Sequence, residues 1–580
     1  MPFPLLLAAA VININQLGFR PEDPKLAIVA DHATRPLDWV VVDDAGKTVL
    51  TGRTSVGGDD AASGDHVHVA RFTALTRPGS YRLRVDGTES GRFRVGRDVY
   101  APLALNALNF FYQQRAGTPI DARWVGKRWV RAAGHPREVA ACFSGADEKG
   151  NVWPGCPYTL DVTGGWYDAG DHGKYVVNGG IAVWTLQNLY ETGLARRVFA
   201  DGQARLPEAG NRRDDLLDEA RWEVEWMLRM QVPAGTRVAL PVGPHDRSGR
   251  LALTPVDAGG MAHHKVADAR WTTLPTAPAD DKEPRLLYPP STAATLNLAA
   301  VAAQAARLWR PIDPAFAARC LAAARAAWTA AQRNPAIFAA QGFTGSGGYG
   351  DETLDDERAW AAAELFATTG DTAYRAALPT GATGEPGWAS VAPLGMITLA
   401  TASGVPATIR DGARAAIVAA ADGFLAETTR TGYRIPYASQ TYNWGSNSSI
   451  LNRAMLLGLA QRFTGDARYR AGVVDAADYI LGRNPLGQSY VSGTGWKPLT
   501  NPHHRFWAHQ LSASSPPPPP GVVSGGPNNS AMVDPVAVKL KGRCAPQRCW
   551  ADDINAYALN EVAINWNAPL VWVAAYLDSD

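Results

Sequence analysis

LLDEARWEVEWMLRM (Leu216–Met230) repeats apolar residues every three to four positions and sets Trp222 and Trp226 four apart, the period of an amphipathic helix. The same texture, rich in Ala and Leu, fills most of the chain after Tyr100. Segments of helical period lie at 100–115, 174–194, 216–231, 291–309, 314–332, 355–369, 371–378, 391–403, 408–428, 447–463, 466–482 and 560–577. About a dozen helices suggest six helical hairpins in a ring. Upstream, LAIVA, DWVVVDD, KTVLTG, HVHVARF, SYRLRVDG and GRFRVG alternate with Pro, Gly and Asp turns at the spacing of a small β-sandwich. The division expected is 11–97 for the sandwich and 98–580 for the helical part.

Long segments at 118–173, 233–290 and 483–559 are rich in Gly, Trp, His and Asn and interrupt the helices. Connections of that length usually carry function. The run Pro516–Pro520 reads as a stiff, exposed insertion with no chemistry of its own.

The 56 Lys and Arg residues are balanced by 55 Asp and Glu spread along the chain, so no basic tract exists to follow phosphates and nucleic acid is not an expected partner. The 19 Trp, many beside Gly, Asn and Asp, suit flat apolar rings such as sugar faces, although core packing accounts for many of them. No stretch reaches the roughly 18 uninterrupted apolar residues of a membrane span. The apolar start MPFPLLLAAA (1–10) reads as a signal-peptide remnant. Cys142 with Cys156 and Cys544 with Cys549 suit disulfides formed in an oxidising, secreted or periplasmic setting. Cys320, inside an Ala-rich run, suits a free buried thiol.

Two segments carry chemistry. GGWYDAGDHGKY (Gly164–Tyr175) puts Asp168 and Asp171 three residues apart in a glycine-dense turn. Neighbouring carboxylates can share one water, and their mutual repulsion separates their pKa values; a helix cap with a turn or calcium-binding Asp uses the same residues. WADDINAYALNEVAINWNA (Trp550–Ala568) reads as a helix with Tyr557 and Glu561 on one apolar face. A carboxyl in such a wall stays protonated near neutrality and can act as an acid, unless it is capped or paired with an arginine.

These two stretches, together with SYVSGTGWKPLTNPHHR (Ser489–Arg505), resemble glycoside hydrolase family 9, a group of cellulases. FFYQQRAGTPID (110–121), WGSN (444–447) and DERAW (356–360) extend the likeness over nearly the whole chain after Tyr100. The resemblance implies a mainly α fold: an (α/α)6 barrel with an open groove at its loop end, preceded by an immunoglobulin-like β-sandwich. It also implies an inverting endo-β-1,4-glucanase acting on cellulose or mixed-linkage β-glucan without an organic cofactor. Asp171 matches the general base, Asp168 the partner that holds the water, and Glu561 the general acid. His503 and Arg505 match residues that hydrogen-bond sugar hydroxyls, and Trp444 and Tyr557 are candidates to stack on glucose rings.

Asp356 and Glu357 resemble a calcium-binding pair, although capping of the following helix also explains them. Relatives often hold zinc with two Cys and two His. Here Phe143 and Pro157 follow the two cysteines and Tyr167 replaces a common His, so zinc is not expected; His135 alone cannot complete the set. His263 and His264 receive no role. The alternatives are an exo-acting cellodextrinase, cellobiohydrolase or glucosaminidase on the same site, with a loop at 511–530 walling off one end, or a noncatalytic glucan-binding protein. A monomer is expected.

Overall fold

The computed structural model describes residues 10–194, 196–245 and 249–579. Most of the expected signal-peptide remnant lies outside them. Ala10 itself is buried in the core of the N-terminal β domain.

That domain is built from β1 (Val11–Asn13), β2 (Leu26–Ala30), β3 (Asp38–Asp43), β4 (Thr48–Arg53), β5 (Ser55–Asp60), β6 (Asp65–Arg71), β7 (Gly79–Val85), β8 (Thr88–Glu89) and β9 (Phe93–Val95). One antiparallel sheet runs β1-β2-β6-β5. The other runs β4-β3-β7-β8, with β9 also on β7. The alternation is clean in β7, where Tyr81, Leu83 and Val85 point inward and Arg82 and Arg84 outward. Trp39, Val41, Phe19, Phe72 and Phe93 fill the space between the sheets. Ala27 and Val29 of β2 face this core, whereas Leu26 and Ile28, with Val67 of β6, belong to the core of the helical part. Polar bonds tie the two parts: Asn15 donates to Asp478 (2.7 Å), Asn13 to Tyr433 (3.0 Å), and Tyr433 to Asp65 (2.7 Å).

The longer α-helices are α1 (Ala101–Gln114), α2 (Val176–Thr192), α3 (Asp215–Arg229), α4 (Thr292–Trp309), α5 (Pro314–Arg333), α6 (Asp355–Thr369), α7 (Ala392–Thr401), α8 (Ala407–Thr428), α9 (Ser446–Thr464), α10 (Ala467–Ile480) and α11 (Ile564–Asp578). Neighbour contacts form a closed circuit, α2 to α4, α6, α7, α8, α9, α11 and back to α2. The apolar helices α2, α4, α7 and α11 are buried along nearly their whole length, whereas α5 and α8 keep a wet face. A helix hydrophobic on every side has to be enclosed, so its uniform apolar texture explains its inner position.

Three expectations need correction. The segment 371–378 is a 3-10 helix, Thr372–Ala377. The last helix does not run from 560: a four-residue turn, Tyr557–Asn560, ends at Glu561, Ala563 is extended, and α11 starts at Ile564. Tyr557 and Glu561 therefore do not share a helical face. Nor is the proline run an exposed spacer, because Pro516, Pro518 and Pro519 are buried, with Trp129 Nε1 donating to Pro517 O (2.9 Å) and Ser492 Oγ to Pro519 O (2.5 Å). Proline brings no backbone N–H, so a buried run leaves only carbonyls to satisfy.

Candidate active site

Three distant stretches meet through backbone hydrogen bonds. Gly170 O accepts from Arg505 N (3.0 Å), Asp168 O from Ile564 N (2.9 Å), and His503 bridges to Glu561 in parallel. Gly525 N donates to Glu561 O (2.8 Å), which holds the break before α11. Gly170 is required by this knot, since a Cβ there would lie 2.4 Å from His503 O. Gly165, at φ +75°, turns the chain beneath Trp226, where a Cβ would come within 2.5 Å of the indole.

Below the turn lies a buried ionic lattice. Lys174 donates to Glu138 (2.5 Å) and to the carbonyls of Val162 and Gly164, and Arg285 bridges Glu138 (2.7 Å) and Asp268 (2.5 Å). Such groups are expensive to leave unpaired, so the lattice fixes the path of 161–175.

Asp168 is buried, and both its oxygens accept: Oδ1 from Asn178 Nδ2 (2.9 Å) and Oδ2 from Tyr349 OH (2.7 Å). Burial first, and then the charge of Asp171, push its pKa up to about 7 despite those two donors. Asp171 Oδ2 accepts from Tyr175 OH (2.9 Å) and Gly173 N (3.3 Å). Glu561 faces the same cleft. Burial, then Asp171 and Asp168, raise its pKa well above the ordinary glutamate value, against weaker opposition from Arg505 and the Gly170 backbone.

The three carboxylates line one cleft of about 780 Å³ with every sugar-contacting residue expected from the sequence. His503 Nδ1 is engaged with Ile554 O (2.7 Å), and burial lowers its pKa to about 4, so the ring is neutral near pH 7. Arg505 is anchored by Thr272 Oγ1 (2.6 Å), Thr272 O (3.2 Å) and Gly170 O (3.1 Å). Trp444 stands 39% exposed beside Tyr557, their rings 5.8 Å apart and tilted by 36°.

Several lining residues carried no signal of their own in the sequence. Tyr349 reaches Asp168 from a glycine-rich loop, at a left-handed φ of 46°. Tyr175 and Asn178 stand within the quoted turn or just after it, but nothing in their spacing assigns them a partner. Trp271, 51% exposed, together with Trp388 and Trp566, adds flat apolar surface to the cleft. The other histidines have structural roles: His504 stacks on Trp507 (3.9 Å, 14°), while His263 and His264 are buried and bonded to Tyr288 O and Ser291 Oγ. Adjacent histidines in loops are not always solvated, as these show.

Both expected disulfides form, and Cys320 is a buried free thiol. Cys142 and Cys156 therefore offer no thiolates to zinc, and Phe143 packs among Tyr288 and Phe343. Asp356 and Glu357 are joined by Asp351, with ligand atoms within 4.8 Å of one another. Asp356 Oδ2 caps Val391 N (2.9 Å), but the buried Glu357 oxygens and Asp351 Oδ2 have only the neighbouring carboxyl groups for partners. Burial and the two aspartates push Glu357 up to about 10. A hard cation with oxygen ligands fits this set. His135, Asp268 and Asp281 also converge, but Arg285 already holds Asp268 and His172 holds Asp281 (2.6 Å). Among the described residues, no helix is long and apolar enough to cross a membrane.

The sequence model for glycosyl hydrolase family 9 matches residues 100–574, and the model for the cellulase N-terminal Ig-like domain matches residues 8–90. A cellulose 1,4-β-cellobiosidase from Acetivibrio thermocellus is 41% identical over all of this chain, and endoglucanase C from Cellulomonas fimi is 42% identical over 98% of it. The chain spans 68% and 52%, respectively, of those two relatives. The crystal structure of a metagenome-derived family 9 endoglucanase superposes with a TM-score of 0.84 at 34% identity, covering 98% of this chain and 99% of that one. With its immunoglobulin-like domain in front, the chain belongs to glycosyl hydrolase family 9 and is a glycoside hydrolase.

Proposed function

We propose that the protein is an inverting endo-β-1,4-glucanase acting on cellulose or mixed-linkage β-glucan. The observation that carries this reading is the convergence of Asp168, Asp171 and Glu561 in one tryptophan-lined cleft, with Glu561 held toward its protonated form. Glu561 donates its proton to the leaving glycosidic oxygen. Asp171 takes a proton from the water that attacks the anomeric carbon on the opposite face. Asp168, protonated below about pH 7, orients that water and avoids a second full charge beside the base. Single displacement inverts the anomeric centre and needs base and acid carboxyls roughly 6.5 to 9.5 Å apart. Arg505 and His503 hold hydroxyls of the reacting sugar, and Trp444, Tyr557 and Trp271 support neighbouring rings.

The closed helix circuit supports an (α/α)6 barrel with the cleft at its loop end. Asp351, Asp356 and Glu357 would hold a structural calcium ion. The two disulfides support secretion or a periplasmic location. We take the protein to act as a monomer.

An exo-acting enzyme on the same residues is the second reading, favoured by the likeness of all of this chain to part of a cellobiosidase. Viscosity and reducing ends followed together on carboxymethylcellulose and barley β-glucan separate the two. Early viscosity loss at few new ends supports endo action; slow loss with release of one short sugar supports exo action. Cleavage of neither polymer would revive a binding role.

A further inference from the structure

Lys265 lies beneath the carboxylate pair and is 2% exposed. Its residue pairs with Tyr175 across two short antiparallel strands. The ammonium packs over the rings of Tyr288 (4.8 Å), Tyr175 (5.7 Å) and Phe343 (5.8 Å). Its hydrogen-bond partner is a neutral carbonyl, Gly347 O (2.5 Å), and burial lowers its pKa to about 7 against the field of the Asp171 carboxylate. A buried ammonium facing aromatic rings and a carbonyl is costly for a merely structural contact.

Gly347 belongs to the segment Gly342–Gly350, which contains five glycines and therefore little intrinsic stiffness. That segment serves both carboxylates. Gly347 N donates to Tyr175 OH (2.8 Å), and with its oxygen so occupied Tyr175 directs its own proton to Asp171 Oδ2 (2.9 Å). Two residues on, Tyr349 donates to Asp168 Oδ2 (2.7 Å) from a backbone conformation that non-glycine residues rarely adopt. Something must hold this loop in place, and the Lys265–Gly347 bond does so from inside the protein.

We propose that Lys265 is a positioning residue for the hydrolytic reaction: by clamping Gly347 it aims Tyr175 at Asp171 and Tyr349 at Asp168, while its positive charge favours the ionised base. The inference rests on Asp171 being that base. Below about pH 7, where Lys265 is charged, the cation also strengthens the clamp, since a charged donor binds a carbonyl more firmly than a neutral one.

The test compares pH profiles of kcat and kcat/KM for the full chain and for Lys265→Met, Tyr175→Phe, the double variant and Asp171→Asn on a soluble cello-oligosaccharide. The other ionisable neighbours of Asp171, namely Asp168, Glu561, Asp268 and His503, stay in place, as do Tyr288 and His264 beside Lys265. Lys265→Met removes both the clamp on Gly347 and the charge beside Asp171. Lys265→Met is expected to move the acid limb of kcat/KM up by about one pH unit. Its kcat should fall about tenfold with KM within about twofold. Tyr175→Phe should shift the limb in the same direction, and the double variant should lose less than the product of the two single losses, because both act through one chain. If Lys265→Met does not fold, Lys265→Gln, which keeps a neutral donor for Gly347 O, takes its place in the comparison. An unmoved acid limb, or a change confined to KM, overturns the proposal while leaving the base assignment intact. Activity retained in Asp171→Asn would instead overturn the base assignment and this inference with it.

Discussion

Replacing Asp168 with asparagine should stabilise the protein at alkaline pH while disabling it. In the unfolded chain an aspartate ionises near the ordinary value of 3.8, whereas in the fold Asp168 does so at about 7. Below about pH 3 both states hold the proton and burial of the side chain carries little charge penalty. Between about pH 4 and 7 the unfolded chain releases a proton that the folded chain keeps, so stability drains away as pH rises. Above pH 7 the loss is complete. The separation of about three pH units corresponds to about 4 kcal/mol. An asparagine can still accept from Asn178, and the bond that Tyr349 gives the ionised carboxylate is already counted in that separation, because it lowers the folded value. The variant should thus be more stable than the parent by about 4 kcal/mol at pH 8 and nearly equal to it at pH 3. Urea unfolding followed by tryptophan fluorescence at both pH values measures the difference directly. Hydrolysis by the same variant should fall at least about a hundredfold. An equal stability difference at both pH values would refute the claim that Asp168 is forced to carry its charge in a desolvated site.

The remaining predictions concern the rest of the site. Asp171→Asn and Glu561→Gln, shown to be folded, should each lower kcat by about 10²- to 10⁴-fold; near-parental hydrolysis by either would remove it from the mechanism. The alkaline limb of the parent's kcat/KM should lie above the ordinary glutamate range, since Glu561 must keep its proton to act. Arg505→Lys should lower kcat/KM by about 10- to 100-fold on every substrate, because one ammonium cannot replace three bonds to Thr272 and Gly170 while also reaching a sugar. Calcium should raise the melting temperature of chelator-treated protein, with affinity growing as pH rises, because binding displaces the Glu357 proton. Glu357→Gln should abolish that response and barely alter the metal-free protein, in which the carboxyl is already neutral.

The carboxylates were legible in the sequence because their chemistry is local in type: two Asp three apart among glycines, and a Glu in an apolar stretch. Their surroundings were less so. The apolar run around Glu561 has helical periodicity, yet the helix is broken there because Gly525, Asp168 and His503 take its backbone groups, and tertiary hydrogen bonds outweigh a propensity of a few tenths of a kcal/mol per residue. Tyr349 and Lys265 left no trace, since their roles depend on a loop far away in sequence folding back over the turn at 168–171. The proline run was misplaced because proline is usually read by exposure, although here its missing N–H makes burial inexpensive. The sandwich was readable from the period-two pattern, but the packing of Leu26, Ile28 and Val67 on the helical core was not, because β2 is apolar on both of its faces and does not show which side turns inward.

The central claim is that water attacks under Asp171 while Glu561 protonates the departing oxygen, in a single displacement. Proton NMR of the first products from cellopentaose, recorded before mutarotation, tests it. The account predicts that new reducing ends appear first as the α-anomer and relax toward the equilibrium mixture. Initial release of the β-anomer would mean retention through a covalent intermediate and would contradict it.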